Sequence, residues 1–182
     1  MNEPMKAELE QMLVVDQAIR KDAMEIVRQH GLSSPQYEEL RTRGRAITAA
    51  HTARLIEILE EHGWPGLSLV GETASSGAFL ILQHADLATQ KRFLPLLRGA
   101  TAAGESHRTN LPLLEDRVRM SDGHKQLYGS QLTRGPDGKP ELWPIEDAAR
   151  VDERRASVGL EPLAAYLQRF GLGAPRKDGA HR

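Results

Sequence analysis

The stretch MKAELEQMLVVDQAIRKDAMEIVRQ, from Met5 to Gln29, decides the fold class. Leu9, Met12, Leu13, Asp16, Ile19, Ala23, Ile26 and Val27 return at spacings of three and four, the period of one helix face. His30-Gly31 then supplies a usual helix ending. Ser33-Ser34-Pro35 opens a second helix with proline in its first turn, and its stripe runs Ile47, His51, Leu55, Ile58, Leu59 and His62 before Gly63 and Pro65.

Working outward, Trp64 to Gly71 (WPGLSLVG) reads as a loop of extended character. A small-residue helix is expected from about Ala74 to His84. Asp86 is placed to cap a helix from Leu87 to about Ala103, which Pro95 would kink or split. A short helix follows over about Leu111 to Met120. The β signal comes next: Gln126 to Thr133 and Glu141 to Ile145 flank the turn-rich RGPDGKP segment. Two closing helices are expected over Asp147–Gly159 and Pro162–Phe170. The fold class is therefore mainly α (α+β by strict label), a helical bundle with one antiparallel β-hairpin near 126–145. A single domain over 1–170 is expected, with 171–182, rich in Gly, Pro and charge, as a flexible tail.

Composition narrows function by exclusion. The chain of 182 residues has no cysteine, so disulfides, thiolate nucleophiles and thiolate metal sites are ruled out. Its formal net charge is −1 with acids and bases interspersed, which leaves no electrostatic footprint for nucleic acid or an anionic membrane. No apolar run approaches a membrane span, and no signal-peptide core begins the sequence, so a cytoplasmic location is the expectation. Walker, dinucleotide, nucleophile-elbow and HExxH motifs are all missing.

Polar residues that interrupt apolar stripes are then the informative ones, because a buried polar group costs free energy unless paired. Asp16 lies within the first helix stripe with Arg20 at i+4, where an ion pair is geometrically natural. It reads either as a carboxylate facing a cleft or as a salt bridge pinning the helix. His51 reads more simply as a satisfied core histidine, and His30 and His62 as cations at helix C-termini. Gln83-His84-Ala85-Asp86 places an amide, an imidazole and a carboxylate at one helix junction. A carboxylate can fix the imidazole tautomer for proton transfer, while the plainer reading makes Asp86 a helix cap. Glu115 fits a solvated face, whereas the planar fork of Arg117 suits a carboxylate or phosphate. Strand alternation would set Tyr128 and Ser130 on one face and Gly129 and Gln131 on the other. Asp152, Arg154 and Arg155 read as a solvated helix face.

Several runs together carry a resemblance: MLVVDQAIR (12–20), HGWP (62–65) with LSLVG, QHAD (83–86) with Gln90 and LPLL, LEDRV (114–118), QLYGSQ (126–131), and VDERR (151–155) with GLEPLAAYL. In order and spacing, over roughly Leu9 to Leu167, they resemble the uncharacterised bacterial family DUF6624. The resemblance implies no reaction. It does imply a shared polar set: Asp16, Gln17, Arg20, Trp64, Gln83, His84, Asp86, Gln90, Asp116, Arg117, Gln126, Tyr128, Gly129, Gln131, Asp152 and Arg155. Ser130 stands where relatives usually have Thr, and His51 where they often carry Asn.

The expectation is an enzyme of metal-independent, non-redox acid/base chemistry, acting by hydrolysis, elimination or isomerisation on a polar or anionic small molecule. His84 would be the acid/base and Asp16 or Asp86 its orienting carboxylate. Arg20, Gln83, Asp116, Arg117, Gln126, Tyr128 and Gln131 would bind substrate, with no cofactor. One alternative is a non-catalytic ligand- or partner-binding module with Trp64, Trp143 and Tyr128 as anchors. Another is a metal enzyme using His84, Asp86, His51 and Asp16.

Overall fold

The computed structural model describes residues 1–136 and 138–173. The chain divides into two compact units, Met1–Ser106 and His107–Arg182. Of the expected tail, residues 174–182 lie outside the described residues. Among the described residues there are seven α-helices and one two-stranded antiparallel sheet, a mainly α protein.

The first unit holds α1 (Glu3–His30), α2 (Pro35–His62), α3 (Leu67–His84) and α4 (Leu87–Ala102). Asn2 and Ser34 cap α1 and α2 by accepting the N–H groups of Met5 and Tyr37, and Gly31 and Gly63 end them. The stripe of α1 buries Leu9 and Met12 against α3, where Val70, Ala74, Ala78 and Leu82 are buried with them. Gly77 makes this packing close: a Cβ there would stand 2.9 Å from the Leu9 carbonyl oxygen. Pro95 sits inside α4 without dividing it.

The loop expected over Trp64–Gly71 is a helical turn from Leu67 onward, broken from the rest of α3 at Gly71, where φ is +79°. The cause is remote in sequence. Glu105 accepts the Leu67 N–H on its backbone oxygen (3.1 Å) and the Ser68 N–H on its carboxylate (2.9 Å). Those are donors that a helix start leaves unpaired.

The second unit holds α5 (Asn110–Ser121), β1 (Leu132–Arg134), β2 (Pro140–Leu142), a 3-10 turn at Ala148–Arg150, α6 (Val151–Ser157) and α7 (Leu163–Gln168). Its strands pair Leu132 with Leu142, Thr133 with Glu141 and Arg134 with Pro140. The hairpin is thus shorter than expected, with an isolated parallel bridge between Gln126 and Ile145 outside it. Val151, Leu163 and Leu167 form its core, with Leu132, Leu142, Ile145 and Tyr166 packed against them.

Candidate functional site

In the first unit, Asp16 lies on α1 and His84 on the last turn of α3. Asp16 is buried, at 6 % exposure. Its carboxylate receives Arg20 through Nε (3.0 Å) and Nη2 (3.2 Å), Gln17 through Nε2 (3.0 Å), and faces Nδ1 of His84 at 3.2 Å. Burial alone would push the Asp16 carboxyl up. The hydrogen bonds and charges of His84 and Arg20 outweigh it and hold the group well below the usual carboxylate range.

An ionised carboxylate can only accept, so Nδ1 of His84 must be the protonated nitrogen in this contact. A ring that carries a single proton in this contact therefore has its lone pair on Nε2. Among the described residues Nε2 has no protein hydrogen-bond partner and is not a buried atom. The ring's backbone seat is fixed by Gln90, a buried side chain whose Nε2 donates to the carbonyls of Gln83 and Ala85, one on each side of His84 (both 2.9 Å).

His84, Asp16 and Arg20 line an open cleft of about 660 Å³ that continues between α1 and α2. Its walls are mostly apolar, including Ile19, Ala23, Leu40 and Ile47. Asp86 also lines it, but its carboxylate caps α4, accepting the Thr89 N–H and hydroxyl at 2.9 Å each, and those bonds lower its pKa. The carboxylate in contact with His84 is therefore Asp16. Gln83 contributes its backbone carbonyl to the Gln90 clamp.

His51 differs from the satisfied core histidine that its stripe position suggested. Its Nδ1 is buried with no hydrogen-bond partner. Burial pushes its pKa below the ordinary value, against the pull of the Asp16 charge. The Thr52 hydroxyl beside it in sequence is also buried and unpartnered, and Thr52 lines the cleft.

The other half of the expected set lies in the second unit, where most of it is spent on structure. Asp116 has no exposed surface. Its carboxylate accepts the N–H groups of Leu127 (2.6 Å), Tyr128 (3.1 Å) and Ser130 (3.0 Å), and the Ser130 hydroxyl (2.9 Å). Gln126, also fully buried, accepts the Gln131 N–H and donates to the carbonyls of Gln131 and Trp143. The Gln131 side chain donates to Ser130 Oγ at 3.0 Å.

Residues 126–131 thus form a turn wrapped on Asp116, not an alternating strand, and Ser130 and Gln131 are both buried. Arg155 is not on a solvated face either. It is 1 % exposed, donates to the carbonyls of Glu161 and Tyr128 (2.6 Å each), and stacks 5.1 Å over the Tyr166 ring. Asp152 accepts the Leu163 N–H at 2.7 Å. Burial, then the charges of Glu115 and Asp116, raise the Tyr128 phenol above its ordinary pKa, so it remains a donor. Arg117 is half-buried on α5.

Sequence reasoning missed Tyr37, Arg41 and Arg45, which line the cleft on α2. A signal was present. Gly44 interrupts an otherwise helix-forming basic run, and a glycine inside a helix asks for a packing reason. Here a Cβ at Gly44 would meet Ile19 at 3.1 Å, so the glycine admits the close approach of α1. No group of three or more His, Asp or Glu among the described residues is arranged to hold a metal ion. No helix among them is long and apolar enough to cross a membrane.

Fold and site together define a helical protein whose first unit sets an imidazole–carboxylate–guanidinium cluster on the wall of a mostly apolar cleft. The chain belongs to DUF6624, a family of unknown function, which matches residues 3–173. No curated protein and no solved structure matches it.

Proposed function

We propose that this protein is an enzyme that uses His84 as a general acid and base on a small, polar or anionic substrate bound in the α1–α2 cleft. The observation that carries the reading is the contact between His84 Nδ1 and the ionised Asp16, which leaves Nε2 open as the base. In a hydrolytic cycle, Nε2 takes a proton from water as the water oxygen attacks the substrate. The imidazolium, stabilised by Asp16, then delivers that proton to the departing atom. In an elimination or isomerisation the proton comes from substrate carbon and returns to the leaving group or to a second carbon.

Arg20 is half-exposed beside Asp16 and donates to it from Nε and Nη2, so its remaining N–H groups are suited to an anionic group on the substrate. Neither step needs a redox cofactor or a metal. The near-zero net charge favours a small molecule over nucleic acid, and a cytoplasmic setting belongs to the same reading.

The test is a turnover screen of purified protein against pooled metabolites, followed by mass spectrometry, with His84→Ala in parallel. The reading expects a substrate whose turnover falls by about 10²–10⁴-fold in the variant while the thermal transition stays in place. Turnover unchanged by His84→Ala would overturn it. Saturable ligand binding without turnover would favour a non-catalytic binding module.

A further inference from the structure

Two contacts fix which positions of α1 and α2 face each other. Arg54 donates to Glu8 from Nε at 2.6 Å, and a Cβ at Gly44 would stand 3.1 Å from Ile19. The helices therefore run antiparallel, and the numbers of facing residues add to 62 or 63, which sets Asp16 level with positions 46 and 47. Arg45 and Thr48 are neighbours on one helix face and bracket that level within about two residues, roughly 3 Å along the axis. Both line the cleft, as does His84, which meets Asp16 directly from α3.

The carboxylates on this wall are already matched. Asp16 is held by Arg20 and His84, and Asp86 by the Thr89 N–H and hydroxyl at the start of α4. Arg41 is paired with Glu38, which does not line the cleft. Arg45 feels the Glu38 charge along the helix, yet among the described residues it forms no ion pair or hydrogen bond with any carboxylate. The half-buried Thr48 has no hydrogen bond to its hydroxyl among those residues, and unlike the Thr52 oxygen that hydroxyl is not a buried atom. A free guanidinium and a free hydroxyl thus share one opening with His84 and with the half-exposed Arg20. Arg45 and Thr48 both stand outside the polar set expected from sequence.

We infer that the substrate class is a compact oxyanion, a small carboxylate or phosphate that reacts next to its charged group. Arg45 and Arg20 grip the anion, the Thr48 hydroxyl donates to one of its oxygens, and the neighbouring atom of the substrate meets His84. This class rests on the acid/base reading above. It follows from the shared level, because an anion held level with the acid/base group keeps its reacting atom within a few bonds of the charge. A planar guanidinium suits carboxylate and phosphate oxygens alike. In a mostly apolar cleft an oxyanion needs such partners, since burying it unpaired is costly.

Titration calorimetry of the full chain with glycolate, methyl phosphate and uncharged glycolamide tests the inference, with the His84 ring followed by NMR in parallel. At least one of the two anions should bind saturably, one per chain, with a Kd on the order of 1 mM or tighter. The tighter anion names the headgroup, and glycolamide should bind about ten-fold more weakly or worse. Arg45→Gln should weaken that anion by about ten-fold or more, the equivalent of one lost charge-assisted hydrogen bond, and Thr48→Val by about two-fold or more. Arg43→Gln removes the same charge from an exposed position outside the cleft and should leave binding within about two-fold. The His84 ring resonances, identified by their loss in His84→Gln, should shift with the same Kd.

No saturable binding by either anion, or equal affinity for glycolamide, overturns the substrate class. So does binding that either cleft variant leaves unchanged, that Arg43→Gln weakens as much as Arg45→Gln, or that leaves the His84 ring unmoved. Each of those results leaves the acid/base reading standing, because the effect of His84→Ala on turnover decides that reading separately. Anion binding as expected, with turnover that His84→Ala does not change, would sink the acid/base reading and leave an oxyanion-binding cleft.

Discussion

Ser130 donates both its backbone N–H (3.0 Å) and its hydroxyl (2.9 Å) to one carboxylate oxygen of Asp116, fourteen residues earlier. Leu127 and Tyr128 donate to the same group, so a carboxylate with no exposed surface organises a whole turn. Such a group is satisfied, and its hydrogen-bonding capacity is used up. The contrast with His84, which keeps one ring nitrogen open, separates scaffold from candidate chemistry in a set of residues that look alike in sequence.

Removing Asp116 should therefore act on stability. Asp116→Ala strands several buried N–H donors at once, and each unsatisfied donor costs about 1–3 kcal/mol. The expected loss is about 3–5 kcal/mol, a fall in Tm on the order of 10–40 °C for a unit of this size. Calorimetry of the variant checks it; an unchanged Tm would mean the turn does not depend on this carboxylate.

Gly129 sits at the tip of that turn with φ +71°. A Cβ there would stand 2.8 Å from both Ile145 and Leu163. Gly129→Ala adds backbone strain to a core clash, and the expected cost is about 2–4 kcal/mol. Chemical denaturation measures this directly. A cost below about 0.5 kcal/mol would show that the turn can move aside.

Asp16 gives the first unit a defined acid limb. Its folded pKa lies below the ordinary 3.8, so the stabilisation from its ionised form is fully present above that pH and is lost as pH falls through the folded value. Asp16→Asn should cost about 1–3 kcal/mol at pH 7. The gap between wild type and variant should shrink below about pH 4, where the unfolded-state carboxyl takes up a proton that the native carboxylate still refuses. Thermal melts of both proteins from pH 7 to pH 2 follow this gap; a constant gap across that range contradicts the ionised role of Asp16.

Much of the fold was legible because its signals are local. The stripes of α1 and α2, the Ser34-Pro35 start and the Asp86 cap all act within one turn of chain, and each is where its pattern puts it. The start of α3 was not, since its cap comes from Glu105, 37 residues away. Residues 126–131 resembled a strand in composition, yet the side chains of Asp116 and Gln126 take the hydrogen bonds that a partner strand would have made. Arg155 looked like surface because it is charged, and only the carbonyls of Tyr128 and Glu161 reveal what it pairs with. In the first unit, the Asp16–Arg20 pair was readable from i+4 spacing. Its meeting with His84 was only one of two options, because nothing in the spacing of residues 16, 84 and 86 distinguishes Asp16 from Asp86 as the imidazole's partner.

The account turns on the His84 ring, and side-chain imidazole ¹⁵N–¹H spectroscopy of the neutral protein measures it most directly. His84 should carry its proton on Nδ1, with Nε2 unprotonated, and Asp16→Asn should abolish that preference. A neutral His84 protonated on Nε2, or a tautomer that Asp16→Asn leaves unchanged, would contradict the claim that Asp16 holds this ring ready as a base.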